Sequence, residues 1–194
     1  MTVATVTPEM ETLIKSGLNK AEEGLSQLLG VPAAIKVDVM TLEPVFDLER
    51  LAWAPEAEVV GVYIGYSGDL TGHCLLCFEG DDAQNLAEYM LGGPDEPELV
   101  DSAIMEAGNI FVSWLVNGLA DSGDWKIIVT PPALARDMLG ALVNTILAVA
   151  SGTSEELFAV CVHFRTAVEG IAGNLMLMPD ADSLRALTGL GRSN

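Results

Sequence analysis

The chain of 194 residues is long enough to bury a sizeable core, and 50% hydrophobic with 6% aromatic residues excludes a disordered or low-complexity chain. Nine Lys and Arg stand against 28 Asp and Glu, a formal charge of −19. That balance excludes a protein that grips nucleic acid by neutralising phosphates, and one drawn electrostatically to an anionic membrane.

In chain order, hydrophobic periodicity and turn residues predict a helix near 9–29, strands near 33–41, 58–66 and 70–78, and a helix near 81–92. After the short hinge Gly92 to Pro97 come a helix near 99–121, a strand near 125–130, a helix near 137–151, strands near 156–165 and 170–178, and a helix near 181–190. The longest uncharged run, Met138 to Ser154, has 17 residues and falls short of a membrane span, so it reads as a buried helix and no membrane insertion is expected. No basic run leading into an apolar stretch opens the chain, and Cys74, Cys77 and Cys161 are too few for a disulfide framework. Both features predict a cytoplasmic protein.

The chain repeats itself. Gly68 to Glu79 reads as a glycine-punctuated apolar strand leading into an acidic helix start, and Glu169 to Asp180 does the same. Setting Gly72 on Gly173 also sets Leu76 on Leu177, Leu86 on Leu187 and Glu79 on Asp180, while Gly24-Leu25 matches Gly118-Leu119. The economical fold is α+β, a pseudo-two-fold duplicated α-β-β-β-α unit with a shared sheet flanked by helices. It forms a single domain over 1–194 with halves near 8–93 and 98–191.

Several small motifs have structural explanations. Cys74 and Cys77 lie three apart in a predicted strand, on opposite faces, which suits burial rather than a metal site. His73 and His163 read as packed or edge histidines, because no nucleophile–base arrangement surrounds them. Asp180 and Asp182 have the spacing that opens a calcium loop but lack its glycine and closing acid, so a helix cap is expected.

The helix over 99–121 carries the chemistry. Ile104, Gly108, Phe111, Leu115 and Leu119 recur at three- and four-residue steps and should face the sheet, whereas Ser102, Glu106, Asn109, Ser113 and Asn117 form an unbroken polar stripe. Glu106 and Asn109, at i and i+3, are neighbours about 5–6 Å apart at Cβ and can act together on one ligand. Asparagine is a poor helix former, so two within one helix ask for a reason.

Ser102-x3-Glu106-x2-Asn109-x22-Pro132 resembles the active-site signature of the CheC/CheX/FliY family of chemotaxis phosphatases, which dephosphorylate the response regulator CheY. The flanks agree, in Glu106 to Ile110, in Pro131 to Ala141, and in Val162-His163-Phe164 followed by the Gly-x2-Gly-x-Leu-x-Leu-x-Pro run that ends at Pro179. These flanks are typical of CheC, and the likeness runs over about residues 10–190. The resemblance implies a CheC-like fold and a protein phosphatase that hydrolyses the aspartyl phosphate of a CheY-like regulator. Asn109 would orient the attacking water, Glu106 would pair with the regulator's lysine, and Ser102 and Pro132 would support the site. It implies no cofactor held by this chain, with Mg²⁺ supplied by the bound regulator. The absence of a glycine-rich phosphate loop and of any Arg or Lys cluster fits a partner that brings its own phosphate and metal.

Many CheC proteins carry the signature in both halves. Here Pro8, Thr12 and Lys15 stand where Ser102, Glu106 and Asn109 would be repeated, and Lys15 would repel the regulator's lysine. One working site is therefore expected, in the second half. The alternative is a non-catalytic CheC-like adaptor that binds CheD or the flagellar switch.

Overall fold

The computed structural model describes residues 6–45, 54–94, 96–150 and 158–189. Helix α1 (Pro8–Leu29) has proline in its first turn, is capped by the Thr7 hydroxyl accepting the Met10 N–H, and ends on Gly30 in the left-handed region, φ 69°. Strands β1 (Lys36–Pro44), β2 (Glu58–Gly68) and β3 (Gly72–Glu79) and helix α2 (Gly80–Leu91) complete the first half. The second runs α3 (Pro97–Gly123), β4 (Ile127–Val129), β5 (Ala133–Met138), α4 (Leu139–Ala150), β6 (Phe158–Arg165), β7 (Ala172–Pro179) and α5 (Ala181–Leu187).

The strands make one antiparallel sheet of seven, ordered β1-β6-β7-β3-β2-β4, with β5 also paired to β2. Its centre is the β3/β7 ladder, where Leu75 lies opposite Met176. The step that carries Gly72 onto Gly173 also carries Leu75 onto Met176, so the pseudo-two-fold axis passes through this pair. The halves then exchange outer strands, β1 pairing with β6 and β5 with β2. Neither half can build its part of the sheet from its own strands.

Helices α1, α2, α3 and α5 cover one face over a core that includes Ile14, Leu25, Val62, Ile64, Phe111, Leu115, Phe164 and Leu175. On the other face α4 lays Leu139, Val143 and Ile146 on Val59, Leu75, Cys77, Cys161 and Met176. Among the described residues α3 alone is long and apolar enough to cross a membrane by length and composition, yet half of that stretch is buried within the fold.

Helices α1 and α3 cross at paired glycines. A Cβ on Gly118 would lie 2.7 Å from the Gly17 Cα and 2.9 Å from the Ser16 carbonyl oxygen, and one on Gly17 would lie 2.8 Å from the Leu115 carbonyl oxygen. These neighbours are backbone and cannot step aside by rotating a side chain. Gly118→Ala should destabilise the fold by about 1–3 kcal/mol as an overpacked contact. A urea midpoint equal to that of the unsubstituted chain would show that the helices do not approach this closely.

The structure shifts several expected boundaries. The first strand begins at Lys36 rather than 33, because Ala33 N–H donates to the Ser26 hydroxyl (2.9 Å) and Ile35 N–H to the Glu22 carboxylate (2.7 Å), tethering residues 33–35 to α1. The expected strand over 125–130 is limited to Ile127–Val129, and β5 is an additional strand where sequence predicted a loop and the start of a helix. Asp137 and Met138 belong to β5, so α4 begins at Leu139. Helix α5 ends at Leu187. The expectations for residues 151, 156, 157 and 190 lie outside the described residues.

Candidate active site

The polar stripe and the apolar line of α3 separate as their spacing demands. Ile104, Gly108, Phe111, Leu115 and Leu119 are buried, Ser102, Glu106 and Asn117 are exposed, and Asn109 and Ser113 are half-buried. Gly108 sets the depth of the helix, since a Cβ there would lie 2.7 Å from Val62 Cγ1. With the helix pressed onto β2 at this point, the next residue, Asn109, stands at the rim of the contact.

Strand β5 forms the ground beside that rim. Val62, beneath Gly108, pairs with Leu134 across the β2/β5 ladder, and Leu134 follows Pro132 by two residues. Pro131 and Pro132 interrupt the edge strand between β4 and β5, where neither proline can donate a ladder hydrogen bond. Thr130 closes the break by donating its N–H to the Gly65 carbonyl (2.8 Å) and accepting the Gly65 N–H at its hydroxyl (2.9 Å). Pro132 thus lies in the break between β4 and β5, two residues before the Leu134 that pairs with Val62 beneath Gly108.

Near the helix start, Arg136 of β5 pairs with Asp101 of α3 at 2.5 Å. Sequence reasoning did not single out either residue. A cation in a strongly acidic chain was the only available signal, and its partner depends on a strand that the sequence pattern did not show. Ser102 donates its hydroxyl to the Glu98 carbonyl at 2.9 Å, which spends its donor on its own helix. Neither Glu106 nor Asn109 hydrogen-bonds or ion-pairs with another described residue, so both remain available to a partner.

The matching face of α1 is different. Thr12 donates to the Pro8 carbonyl (2.8 Å) just as Ser102 does to Glu98, but Lys15 is exposed and pairs with Glu11 at 2.5 Å. The first half presents a cation where the second presents an amide.

The remaining candidates are structural. Cys74 lies in the main core and Cys77 on the α4 side, and burial pushes both thiols well up. His73 stacks on Tyr63, with 2.8 Å between Nδ1 and the phenol oxygen, and burial lowers its pKa. His163 Nδ1 lies 3.0 Å from the Asn174 carboxamide oxygen. The Arg165 guanidinium makes two hydrogen bonds to Asp38 and holds that carboxyl below the usual range. Asp180 caps α5 by accepting the Ser183 N–H at 2.7 Å.

Two cavities of the described surface do not include the candidate pair. A cavity of about 500 Å³ is lined by Glu58, Gly80, Arg136 and Met138, and an apolar one of about 260 Å³ lies under α4 by Leu134 and Leu142. Neither is lined by Glu106 or Asn109. A small substrate is normally held in a cleft. An acid and an amide on one helix face, with no partner among the described residues and lining neither of these cavities, suit a substrate carried by another macromolecule.

Comparison with known proteins shows what the chain is similar to. The CheC-like family matches residues 99–136, the span that holds Ser102, Glu106, Asn109 and Pro132. CheC of Bacillus subtilis, named a CheY-P phosphatase, is 24% identical over 180 residues, covering 88% of this chain and 86% of its own. Thermotoga maritima FliY shares the fold with a TM-score of 0.71 at 20% identity, over 94% of this chain and 96% of its own. A chain in the Borrelia burgdorferi CheX-CheY complex with BeF3 and Mg²⁺ aligns with a TM-score of 0.57 at 20% identity, over 86% of this chain and 96% of its own. In the motif on α3, in sequence along most of the chain and in sheet topology, this chain is similar to the CheC-like family of chemotaxis proteins.

Proposed function

We propose that this chain is a chemotaxis phosphatase that acts in the cytoplasm and hydrolyses the aspartyl phosphate of a CheY-like response regulator, through one site on α3. The observation that carries the reading is that Glu106 and Asn109 stand on one accessible ridge with no partner among the described residues. Phosphoryl transfer needs little covalent help from the enzyme. It needs a water held in line with the scissile O–P bond and charge balance around the phosphoryl group. In this scheme α3 enters the regulator's pocket, the Asn109 carboxamide orients the attacking water, and the Glu106 carboxylate pairs with the regulator's lysine. Mg²⁺ bound in the regulator's own pocket supplies charge neutralisation at the phosphoryl oxygens. Ser102, its hydroxyl turned to the helix, and Pro132, breaking the edge strand, shape the approach. Thr12 and Lys15 offer neither the acid nor the amide, which supports a single site.

The test follows phosphoryl loss from a phosphorylated CheY-like regulator with and without this chain. Faster loss is expected, and an unchanged lifetime despite measurable binding would instead identify an adaptor of the regulator or of a CheD protein. Glu106→Ala should weaken binding of the phosphorylated regulator on the order of tenfold, since it leaves the partner's lysine unpaired at the interface. Titration at low and high salt checks this, because the loss should be larger at low salt. Equal affinity of both proteins for the regulator would remove Glu106 from the interface.

A further inference from the structure

Ser113 stands one turn beyond Asn109, half-buried and aligned with Glu106 two turns before it. At 3.6 residues per turn its direction falls between those of Glu106 and Asn109, within about 40° of each. Side chains on a helix lean toward its N-terminus, so the Ser113 hydroxyl leans over the turn that carries Asn109.

Its hydrogen bonding sets it apart. Thr12, Ser102, Ser122 and Thr145, all within helices, donate their hydroxyls to the carbonyl four residues back. Ser113 makes no such bond, nor any other, among the described residues. Asn109 is in the same condition. In the free chain water can satisfy both groups, but a protein docked on α3 removes that water, and a buried polar group without a partner is costly. Four residues apart on one helix face, each is within side-chain reach of the other.

We propose that Ser113 is the positioning residue of this site: on docking, its hydroxyl oxygen accepts an Nδ2–H of Asn109 and turns the carboxamide oxygen outward to accept a hydrogen from the attacking water. The inference rests on the phosphatase reading and deepens it. Ser113 touches neither the phosphoryl group nor the water. It restricts rotation of an amide that has no other anchor among the described residues, and serine rather than the better helix former alanine occupies the position.

The experiment measures regulator dephosphorylation under steady-state conditions for Ser113→Ala and Ser113→Thr, each alone and combined with Asn109→Ala. Ser113→Ala should lower kcat about five- to tenfold, the worth of one hydrogen bond in a barrier, with KM changed less than twofold. Ser113→Thr retains the hydroxyl and should restore kcat to within about twofold of the unsubstituted chain. On the Asn109→Ala background, Ser113→Ala should cause no further loss, because there is no carboxamide left to orient. A structural role would lower kcat equally on both backgrounds. The proposal is overturned if Ser113→Ala leaves kcat unchanged, changes KM alone, or adds its full loss to that of Asn109→Ala. If Asn109→Ala is itself without effect, the phosphatase reading fails. If that variant is impaired while Ser113→Ala is not, only the role of Ser113 is withdrawn.

Discussion

Asn109→Ala should lower the assisted rate of regulator dephosphorylation on the order of 10²-fold or more, the size of effect seen when a single preorganised polar group is removed from a site of this kind. The expected loss lies in kcat, because in the proposed mechanism the carboxamide acts on a water that is correctly placed only in the reacting complex. The substitution leaves the fold intact. Asn109 is half-buried and has no hydrogen bond to another described residue, and alanine is the stronger helix former. The thermal midpoint should therefore stay level or rise slightly, and regulator binding should largely survive. Single-turnover decay of phosphorylated regulator, read beside a thermal melt of the same preparation, separates the two quantities. Decay at the full assisted rate would remove the carboxamide from the mechanism.

Phe111→Ala should produce the opposite pattern, a large loss of stability from a residue that never meets the regulator. Phe111 is 2% exposed and stacks on Phe164 with ring centroids 5.1 Å apart, and Phe164 meets Phe78 edge-on at 6.5 Å. This aromatic ladder joins α3 to β6 and β3, and hence the helix bearing the candidate site to the centre of the sheet. Truncating a buried phenylalanine costs about 3–5 kcal/mol in transfer energy and cavity formation. For a domain of this size that corresponds to a fall in Tm of roughly 6–20 °C. A urea titration should show a lower midpoint with unchanged slope. A shift below about 1 kcal/mol would mean that α3 is anchored elsewhere, because truncating a well-packed buried phenylalanine to alanine costs several times that value.

The two substitutions sit two positions apart on one helix and act through opposite faces of it. Asn109 lies on the ridge and Phe111 in the core, which is the amphipathic separation that the sequence spacing predicted. That spacing extends to Glu106 and Ser102 on the exposed side and to Ile104, Leu115 and Leu119 on the buried side. The duplication was equally legible, since the match of Gly72 with Gly173 anticipates the axis through Leu75 and Met176.

Strand β5 shows where sequence reasoning stops. Ala133 to Met138 contains alanine, leucine, arginine and methionine, all good helix formers, and it follows two prolines that end the preceding strand. Local preference favours a loop leading into a helix. The backbone of Glu58–Tyr63 offers an open ladder, and pairing with that edge outweighs the propensity of six residues.

The local code of this chain, its period along α3 and its internal repeat, determined where each helix lies to within a few residues, which side of α3 is wet, and that the second half alone carries the acid and the amide. Only the tertiary structure decided that the halves trade their outer strands, that α4 covers the opposite face, and that Arg136 meets Asp101. Periodicity is written in neighbouring residues and can be read from them. The partner of a strand edge or of an exposed charge is chosen among distant segments by the ladder and packing that they can complete together, and that choice exists only once the chain has closed on itself.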